Sequence, residues 1–181
     1  MIILASSSPR RQELLKKITS DFIIDVPNVD ETSDQDILSK ATEIALKKAI
    51  AIQKKHPNDV IIACDTIVVL DDKILGKPKD NDDAIKMLKE LSNRTHLVVT
   101  GYALIDSQET ITGKDMTYVT FNKLSDKKIK EYVSTGSPLD KAGAYGIQDN
   151  QFNLVKSIDG SYYNVMGFPL EIFAKLLKNR L

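Results

Sequence analysis

The amino-acid sequence predicts an α/β domain, and three observations carry this prediction. The 181 residues are 42% hydrophobic and 28% charged, a composition typical of an ordinary globular protein. Residues 60–70 form an apolar, β-branched run with the length of a buried strand. Residues 34–56 instead repeat apolar side chains at helical spacing. Mixed strands and helices over this length favour a single domain, 1–181, with a subdivision near residues 70–135.

The first half of the chain alternates strands and helices. 'MIIL' has the pattern of a short strand, and Ser8 and Pro9 then supply an N-cap and a first helical residue. The following helix has an inward stripe made by Leu14, Leu15 and Ile18. The helix over 34–56 ends at Pro57, and the strand over 60–70 follows it.

The second half continues in the same way. 'NDDAIKMLKELS' predicts a helix with acidic residues in its first turn. 'HLVVTGYALID' and 'TITGKDMTYVTFN' predict two strands joined through 'SQE', as an antiparallel pair. A short helix capped by Ser125, a Gly-rich region over 134–167 and a last helix from Pro169 to about Lys178 complete the predicted order.

Bulk charge and cysteine content exclude several function classes. The chain has 25 basic and 25 acidic residues, so no overall basic field favours a nucleic acid polymer as a partner. The single Cys64 excludes an intrachain disulfide and is expected in the core. No apolar run reaches the roughly 20 residues that span a bilayer, which predicts a cytoplasmic protein without a membrane partner. His56 and His96 are expected at surface or loop positions.

The segment 'SSSPRR' at the first strand-to-helix junction is a candidate phosphate site. It places hydroxyl groups, backbone N–H groups and two guanidinium groups at a helix start. Arg10 and Arg11 point about 100° apart on a helix, so one is expected to face a ligand while the other braces the loop. A capped helix with two solvated arginines explains the same residues equally well.

Two charged residues occupy positions expected to be buried. Lys48 lies on the apolar face of the helix over 34–56, where it either reaches solvent through its stem or meets an anion in a cleft. Asp65 interrupts the apolar strand, so it must be paired, hydrogen-bonded or metal-bound. One explanation is a salt bridge to Lys77. Another is a site in which Glu31 and Asp65 hold Mg²⁺. The Walker A phosphate motif is absent from the sequence.

Seven segments, taken together and in this order, resemble the Maf family of nucleotide pyrophosphatases. The resemblance extends from residue 2 to about residue 172. The segments are 'LASSSPRRQELL', 'DET', the Lys48-Ala49 pair, 'CDTIVVLDDKILGKP', 'SNRTHLVVTGYAL', 'LDKAGAYGIQ' and 'GSYYNVMGFPL'.

The resemblance implies hydrolysis of a nucleoside triphosphate between its α and β phosphates, with Mg²⁺ or alternatively Mn²⁺ as the cofactor. It also implies a homodimer and a Maf/ITPase-like fold, an elongated mixed sheet flanked by helices with a cleft between two lobes. Asp65 matches the proposed general base. Positions linked to substrate choice are matched by Arg10, Thr66 and Gln148, and the remaining polar cleft positions by Ser7, Arg11, Glu31, Lys48 and Lys77.

The pairing of 'DT' with 'AYGIQ' resembles the branch of the family that acts on dTTP and UTP. Two alternatives remain open at the level of sequence. One is a nucleotide-binding regulatory protein of cell division and septum formation with little turnover. The other is an enzyme whose main substrates are modified pyrimidine nucleotides. The first motif carries Ser7 where many family members have glycine, which leaves both arginines in place.

Overall fold

The computed structural model describes all residues, 1–181, and contains a seven-stranded mixed sheet flanked by helices, as the sequence predicted. The strands are β1 (Ile2–Leu4), β2 (Phe22–Ile24), β3 (Val60–Leu70), β4 (Lys73–Leu75), β5 (Thr95–Ile105), β6 (Thr110–Phe121) and β7 (Val155–Asp159). The helices are α1 (Pro9–Leu15), α2 (Ile37–Gln53), α3 (Asn81–Leu91), α4 (Asp126–Ser134), α5 (Tyr162–Val165) and α6 (Leu170–Leu177). None of these helices combines the length and the apolar character that crossing a bilayer requires.

The sheet has the order β2-β1-β3-β5-β6-β7, with β4 paired to β3. β1 pairs in parallel with both β2 and β3, while β3–β4 and β6–β7 are antiparallel. Parallel pairing at β1 requires a crossover, which α1 and α2 provide. The sequence did not predict three short strands, β2, β4 and β7. Segments of three to five residues are too short to show the alternation of apolar and polar side chains that indicates a strand.

The chain forms two compact units. The first comprises Met1–Thr66, Thr100–Asp115 and Gly167–Leu181, and the second comprises Ile67–Val99 and Met116–Met166. β3, β5 and β6 therefore contribute residues to both units. The predicted lobes with a cleft between them stay a prediction.

The first unit is built around small side chains that let α2 approach the sheet closely. A Cβ added at Gly101 in β5 would lie 2.2 Å from the backbone of Ala41 in α2, so this crossing requires glycine. Its core consists of Ile3, Ala5, Ala45, Ala49, Ile52, Ile61, Ala63, Ala103 and Ile105. This close packing fixes the face of α2 that carries Lys48.

The second unit has a larger core in which α3 and α4 pack together, and it corrects one prediction. His96 was expected at the surface, but it is 2% exposed and packs edge-on against the rings of Phe121 and Tyr145. Its Nε2 lies 2.7 Å from the Tyr145 hydroxyl. Burial lowers the pKa of His96 to about 4, so the ring is a neutral core residue at neutral pH.

Candidate active site

The loop between β1 and α1 is held by its own hydroxyl groups. The Ser8 side chain accepts a hydrogen bond from Arg11 N, which confirms the predicted cap, and Pro9 begins the helix. Ser6 Oγ accepts from Ser8 N at 3.1 Å. Since the cap already occupies Arg11 N and α1 has only seven residues, anion binding here depends on side chains. Ser7 is exposed and Arg10 half-buried.

Arg11 is the arginine that braces the loop. Its Nε donates to Gly167 O at 2.8 Å, its Nη2 to Thr66 Oγ1 at 3.2 Å, and its Nη1 to Ser6 Oγ at 3.4 Å. All three acceptors are uncharged oxygens, so they orient the guanidinium without neutralising it. A half-buried, pre-oriented cation of this kind is suited to a phosphate oxygen.

Sequence reasoning did not single out three residues around this guanidinium, Ser6, Thr100 and Gly167. Thr100 Oγ1 lies 2.9 Å from Thr66 Oγ1 and so continues the hydrogen-bonded chain from Arg11. Gly167 has a φ of +98°, and a Cβ there would lie 3.1 Å from Thr66 Oγ1. Ser6 lies in the segment 'SSSPRR' already predicted as a phosphate site, and Gly167 carried a signal because left-handed backbone favours glycine.

Lys48 faces inward, as the helical spacing predicted, and it joins two carboxylates. It is 7% exposed, and its Nζ lies 2.9 Å from Asp65 Oδ1 and 3.0 Å from Glu31 Oε1. The Asp65 side chain is 14% exposed and that of Glu31 is 61% exposed. The cost of placing Asp65 in an apolar strand is therefore offset by a buried ammonium group from α2.

Asp65 and its neighbour Thr66 have different partners although β3 continues through both. Asp65 binds Lys48, whereas Thr66 binds Arg11. Adjacent strand residues point to opposite faces, which accounts for the difference. The side chain of Thr66 thus contacts Arg11 and Thr100, and its expected role in substrate choice stays a prediction.

The two carboxylates fit a divalent cation shared with a substrate. Glu31 and Asp65 both reach the same ammonium, so their oxygens lie close together. The structure holds no group of three or more histidine, cysteine or acidic side chains that could hold a metal alone. Mg²⁺ commonly takes one or two carboxylates and completes its shell with water and phosphate oxygens, which is the donor set available here. Mg²⁺ or Mn²⁺ stays a prediction.

Lys77 and Gln148 belong to the second unit. Lys77 is exposed in the loop between β4 and α3, and the neighbouring Gly76 O accepts from Gly143 N at 3.1 Å. Gln148 is half-buried, yet its Oε1 is fully buried and has no hydrogen-bond partner. A buried acceptor without a donor is costly unless a ligand supplies one.

The thiol of Cys64 takes no part in this chemistry. Its side chain is fully buried, as the sequence predicted, and burial raises the pKa of the thiol to about 12. A thiol in that state is not a nucleophile at neutral pH.

Comparison with known proteins places the chain in a family. The model of the family described as "Maf-like protein" matches residues 1–180. The chain belongs to the Maf-like protein family. This agrees with the resemblance carried by the sequence motifs.

Several Maf-like relatives are similar over nearly their whole length. A protein of Pyrococcus furiosus named dTTP/UTP pyrophosphatase is 50% identical over 179 residues, covering 98% of this chain and 94% of the relative. A Symbiobacterium thermophilum protein of the same name is 47% identical, covering 97% and 92%. One from Thermosipho melanesiensis is 45% identical, covering 99% and 97%.

Proposed function

We propose that this Maf-like protein hydrolyses nucleoside triphosphates, with dTTP and UTP preferred, to the nucleoside monophosphate and pyrophosphate. The observation that carries the proposal is the buried ion pair of Asp65 and Lys48, in the same unit as the charged Arg11 guanidinium. The names of the relatives, at 45–50% identity over almost the entire chain, support the choice of reaction and substrate.

Substrate binding begins with the phosphates. Arg11 is already oriented by three neutral oxygens, so it loses little side-chain entropy when a phosphate oxygen arrives. Arg10 and the exposed Ser7 lie on the same loop and helix start and add further donors. Lys77 supplies a further cation for the departing pyrophosphate.

The hydrolytic step uses Asp65 as a general base. Asp65 removes a proton from a water molecule as the water oxygen attacks the α-phosphorus in line. The bond from that phosphorus to the oxygen bridging the α and β phosphates breaks, and pyrophosphate leaves with the bonding electrons. Lys48 holds one oxygen of the Asp65 carboxylate at 2.9 Å, which fixes the direction from which the proton is taken.

A divalent cation belongs to the same proposal. Glu31 and Asp65 would hold it together with phosphate oxygens. When bound, Mg²⁺ or Mn²⁺ supplies positive charge that offsets the charge developing on the phosphates.

Gln148, Thr66 and Arg10 are the residues proposed to select the base. The buried Oε1 of Gln148 is an acceptor that lacks a donor. Uracil and thymine carry a donor N–H at ring position 3, whereas cytosine carries an acceptor there. A pyrimidine with that N–H therefore satisfies Gln148, and a cytosine leaves it unpaired. Modified uracil or thymine nucleotides that keep the N–H are substrates by the same reasoning.

The test is pyrophosphate release from a panel of nucleoside triphosphates with Mg²⁺, using the wild type and Asp65→Asn. Release from dTTP and UTP by the wild type, strongly reduced in the variant, supports the proposal. A wild type that binds these nucleotides tightly and releases no pyrophosphate contradicts it and favours the regulatory alternative.

The assembly and location form the last part of the proposal. We propose a homodimer, which the resemblance implies, and a cytoplasmic location, which the sequence predicts. Light scattering coupled to size-exclusion chromatography tests the dimer, and a monomer mass across the measured concentrations would contradict it.

A further inference from the structure

The loop that carries Gln148 is hydrogen-bonded to a partly buried polar network that the proposed mechanism does not use. We call the side chains of Tyr132, Ser137, Lys141 and Asp149 the Lys141 network; all four lie in the second unit. Lys141 is 9% exposed, and its Nζ donates to Ser137 O at 2.6 Å, Ser137 Oγ at 3.0 Å and Asp140 Oδ1 at 2.9 Å. Three acceptors match the three donors of an ammonium group.

The network continues from Ser137 to both sides of Gln148. Ser137 Oγ donates to Asp149 Oδ2 at 2.8 Å, and the Tyr132 hydroxyl donates to the same oxygen at 2.5 Å. The Tyr132 hydroxyl in turn accepts from Gly146 N at 3.0 Å. The residues two before and one after Gln148 are thereby tied to one set of hydrogen bonds. Burial, together with Asp149, raises the pKa of the Tyr132 hydroxyl, so it remains a donor.

Lys141 and Gln148 both pack around Gly146. A Cβ added at Gly146 would lie 2.8 Å from Lys141 Cε and 3.1 Å from both Gln148 Cδ and Gln148 Oε1. The stem of Lys141 and the amide of Gln148 therefore both lie close to the position that a Cβ of Gly146 would occupy, so any larger residue there would displace one of them. The backbone turn is closed by Asp149 N, which donates to Gly146 O at 3.1 Å.

A contribution to stability does not explain well why the buried position 141 carries a charged lysine. Removing an ammonium group from water costs several kcal/mol, and apolar residues of similar volume often replace buried ion pairs without loss of stability. Directional hydrogen bonds, in contrast, fix a loop in one conformation. The loop fixed here is the one whose buried Gln148 Oε1 has no partner.

We propose that Lys141 is a positioning residue for base recognition, which with Tyr132, Ser137 and Asp149 holds the turn over 146–149 so that Gln148 Oε1 meets the donor of a uracil or thymine base. This inference rests on the proposed function and adds the residues that make the proposed selection of the base possible. Lys141 does not touch the substrate; it acts through Gln148.

The first experiment compares Lys141→Met with Lys127→Met. Methionine keeps most of the stem volume and removes the charge, and Lys127, whose side chain is 87% exposed on α4, receives the identical change. The readouts are kcat, KM and the ratio of kcat/KM for UTP over CTP. For Lys141→Met we expect KM for UTP to rise and the UTP/CTP ratio to fall by up to about tenfold, the effect of one misaligned hydrogen bond. Lys127→Met should match the wild type.

A double-mutant cycle separates positioning from a general structural role. In a Gln148→Ala background, Lys141→Met should no longer change the UTP/CTP ratio, because the residue through which it acts is gone. Equal losses on UTP and CTP in both backgrounds, accompanied by a lower melting temperature, would overturn the proposal. If Lys141→Met fails to fold, Ser137→Ala decides between the same outcomes, because it removes the hydroxyl between Lys141 and Asp149 and leaves the lysine two acceptors.

Failure of this inference can be told apart from failure of the proposed function. No pyrophosphate release by the wild type from any triphosphate rejects the proposed function. Dissociation constants for UTP and CTP, measured by calorimetry on the same variants, then decide the role of Lys141. Equal binding of UTP and CTP by the wild type, or an unchanged ratio in Lys141→Met, rejects the positioning role.

Discussion

Lys48 Nζ lies 2.9 Å from Asp65 Oδ1, and this contact joins the middle of α2 to the middle of β3. The sequence predicted Lys48 on the apolar face of a helix and Asp65 within an apolar strand, and this contact joins the two. Because both side chains are largely removed from water, each one compensates the charge of the other. Substitutions of these two residues therefore test the proposed chemistry.

The first prediction concerns the carboxylate itself. Asp65→Asn keeps the shape of the side chain and removes its ability to take a proton, so kcat for dTTP and UTP should fall by about 10²- to 10⁴-fold. Pyrophosphate release measures the loss, and circular dichroism checks the fold. The exposed Asp21 is the matched control, and Asp21→Asn should retain full activity. A folded Asp65→Asn with normal turnover would remove Asp65 from the mechanism.

The second prediction concerns its partner. Lys48→Met leaves Asp65 in its apolar strand without the ammonium group, so the free energy of unfolding should fall by roughly 3 kcal/mol and activity should be lost. Urea denaturation measures the change in stability. Lys47→Met, on the more exposed side of the same helix, should cost less than about 1 kcal/mol. Equal effects of the two substitutions would show that the Lys48 ion pair contributes little.

The third prediction concerns the predicted divalent cation. Glu31→Gln weakens one of the two proposed carboxylate ligands, so the Mg²⁺ concentration needed for half-maximal activity should rise about tenfold or more. The free energy of unfolding should change little, because the Glu31 side chain is 61% exposed and Lys48 retains its ion pair with Asp65. A Mg²⁺ titration of wild type, Glu31→Gln and the exposed-carboxylate control Glu131→Gln makes the measurement. If the wild type keeps full activity in EDTA, the predicted requirement for a divalent cation is wrong.

The fourth prediction concerns the positioning of Arg11. Gly167→Ala places a methyl group 3.1 Å from Thr66 Oγ1 and 3.7 Å from Arg11 Nε, in a left-handed conformation that costs about 1 kcal/mol or more. KM for the nucleotide should therefore rise as the guanidinium shifts. Gly160→Ala, also left-handed and crowded by Thr117 instead, should lose stability with an unchanged KM. A parallel change of KM in both variants would mean that backbone strain alone is responsible.

The fifth prediction follows from the buried imidazole of His96. Its pKa is lowered to about 4 by burial, so the folded protein binds the proton only at low pH, whereas the unfolded chain binds it near pH 6.5. The free energy of unfolding should therefore decrease as the pH falls from 6.5 to 4, by up to about 3 kcal/mol. Urea denaturation at pH 7 and pH 5 measures this loss.

A matched pair of variants assigns that loss to His96. His96→Gln should show a smaller difference between pH 7 and pH 5 than the wild type, because the titrating group is gone. His56→Gln, at a half-buried site where the ring pairs with Asp25, should keep the decrease. The carboxylates with lowered pKa values, such as Asp25 and Asp106, lose their contribution only below about pH 4 and so act in a different range.

Periodicity and capping made most of the elements visible in the sequence. The helical spacing of Ala41, Ile44 and Ala45 was sufficient to place Lys48 on the buried face of α2, and Ser8 and Ser125 marked the starts of two helices. These signals are local, because a side chain's direction on a helix or strand depends only on residues a few positions away. The ordered motifs were also sufficient to indicate the family, and the match to the family model confirms it.

Contacts between distant residues were decided only by the tertiary structure. Asp65 takes Lys48 as its ion-pair partner, Arg11 is braced by Gly167, and His96 is buried against Tyr145; none of these pairings has a spacing that a pattern can detect. In the Lys141 network, the hydrogen bonds from Tyr132 and Ser137 to Asp149 are of the same kind, whereas Lys141 itself binds residues close in sequence. The sequence by itself therefore determined the elements, the family and the chemical character of the site, and the packing of those elements determined which charges meet, because that depends on which faces are brought together after the elements have formed.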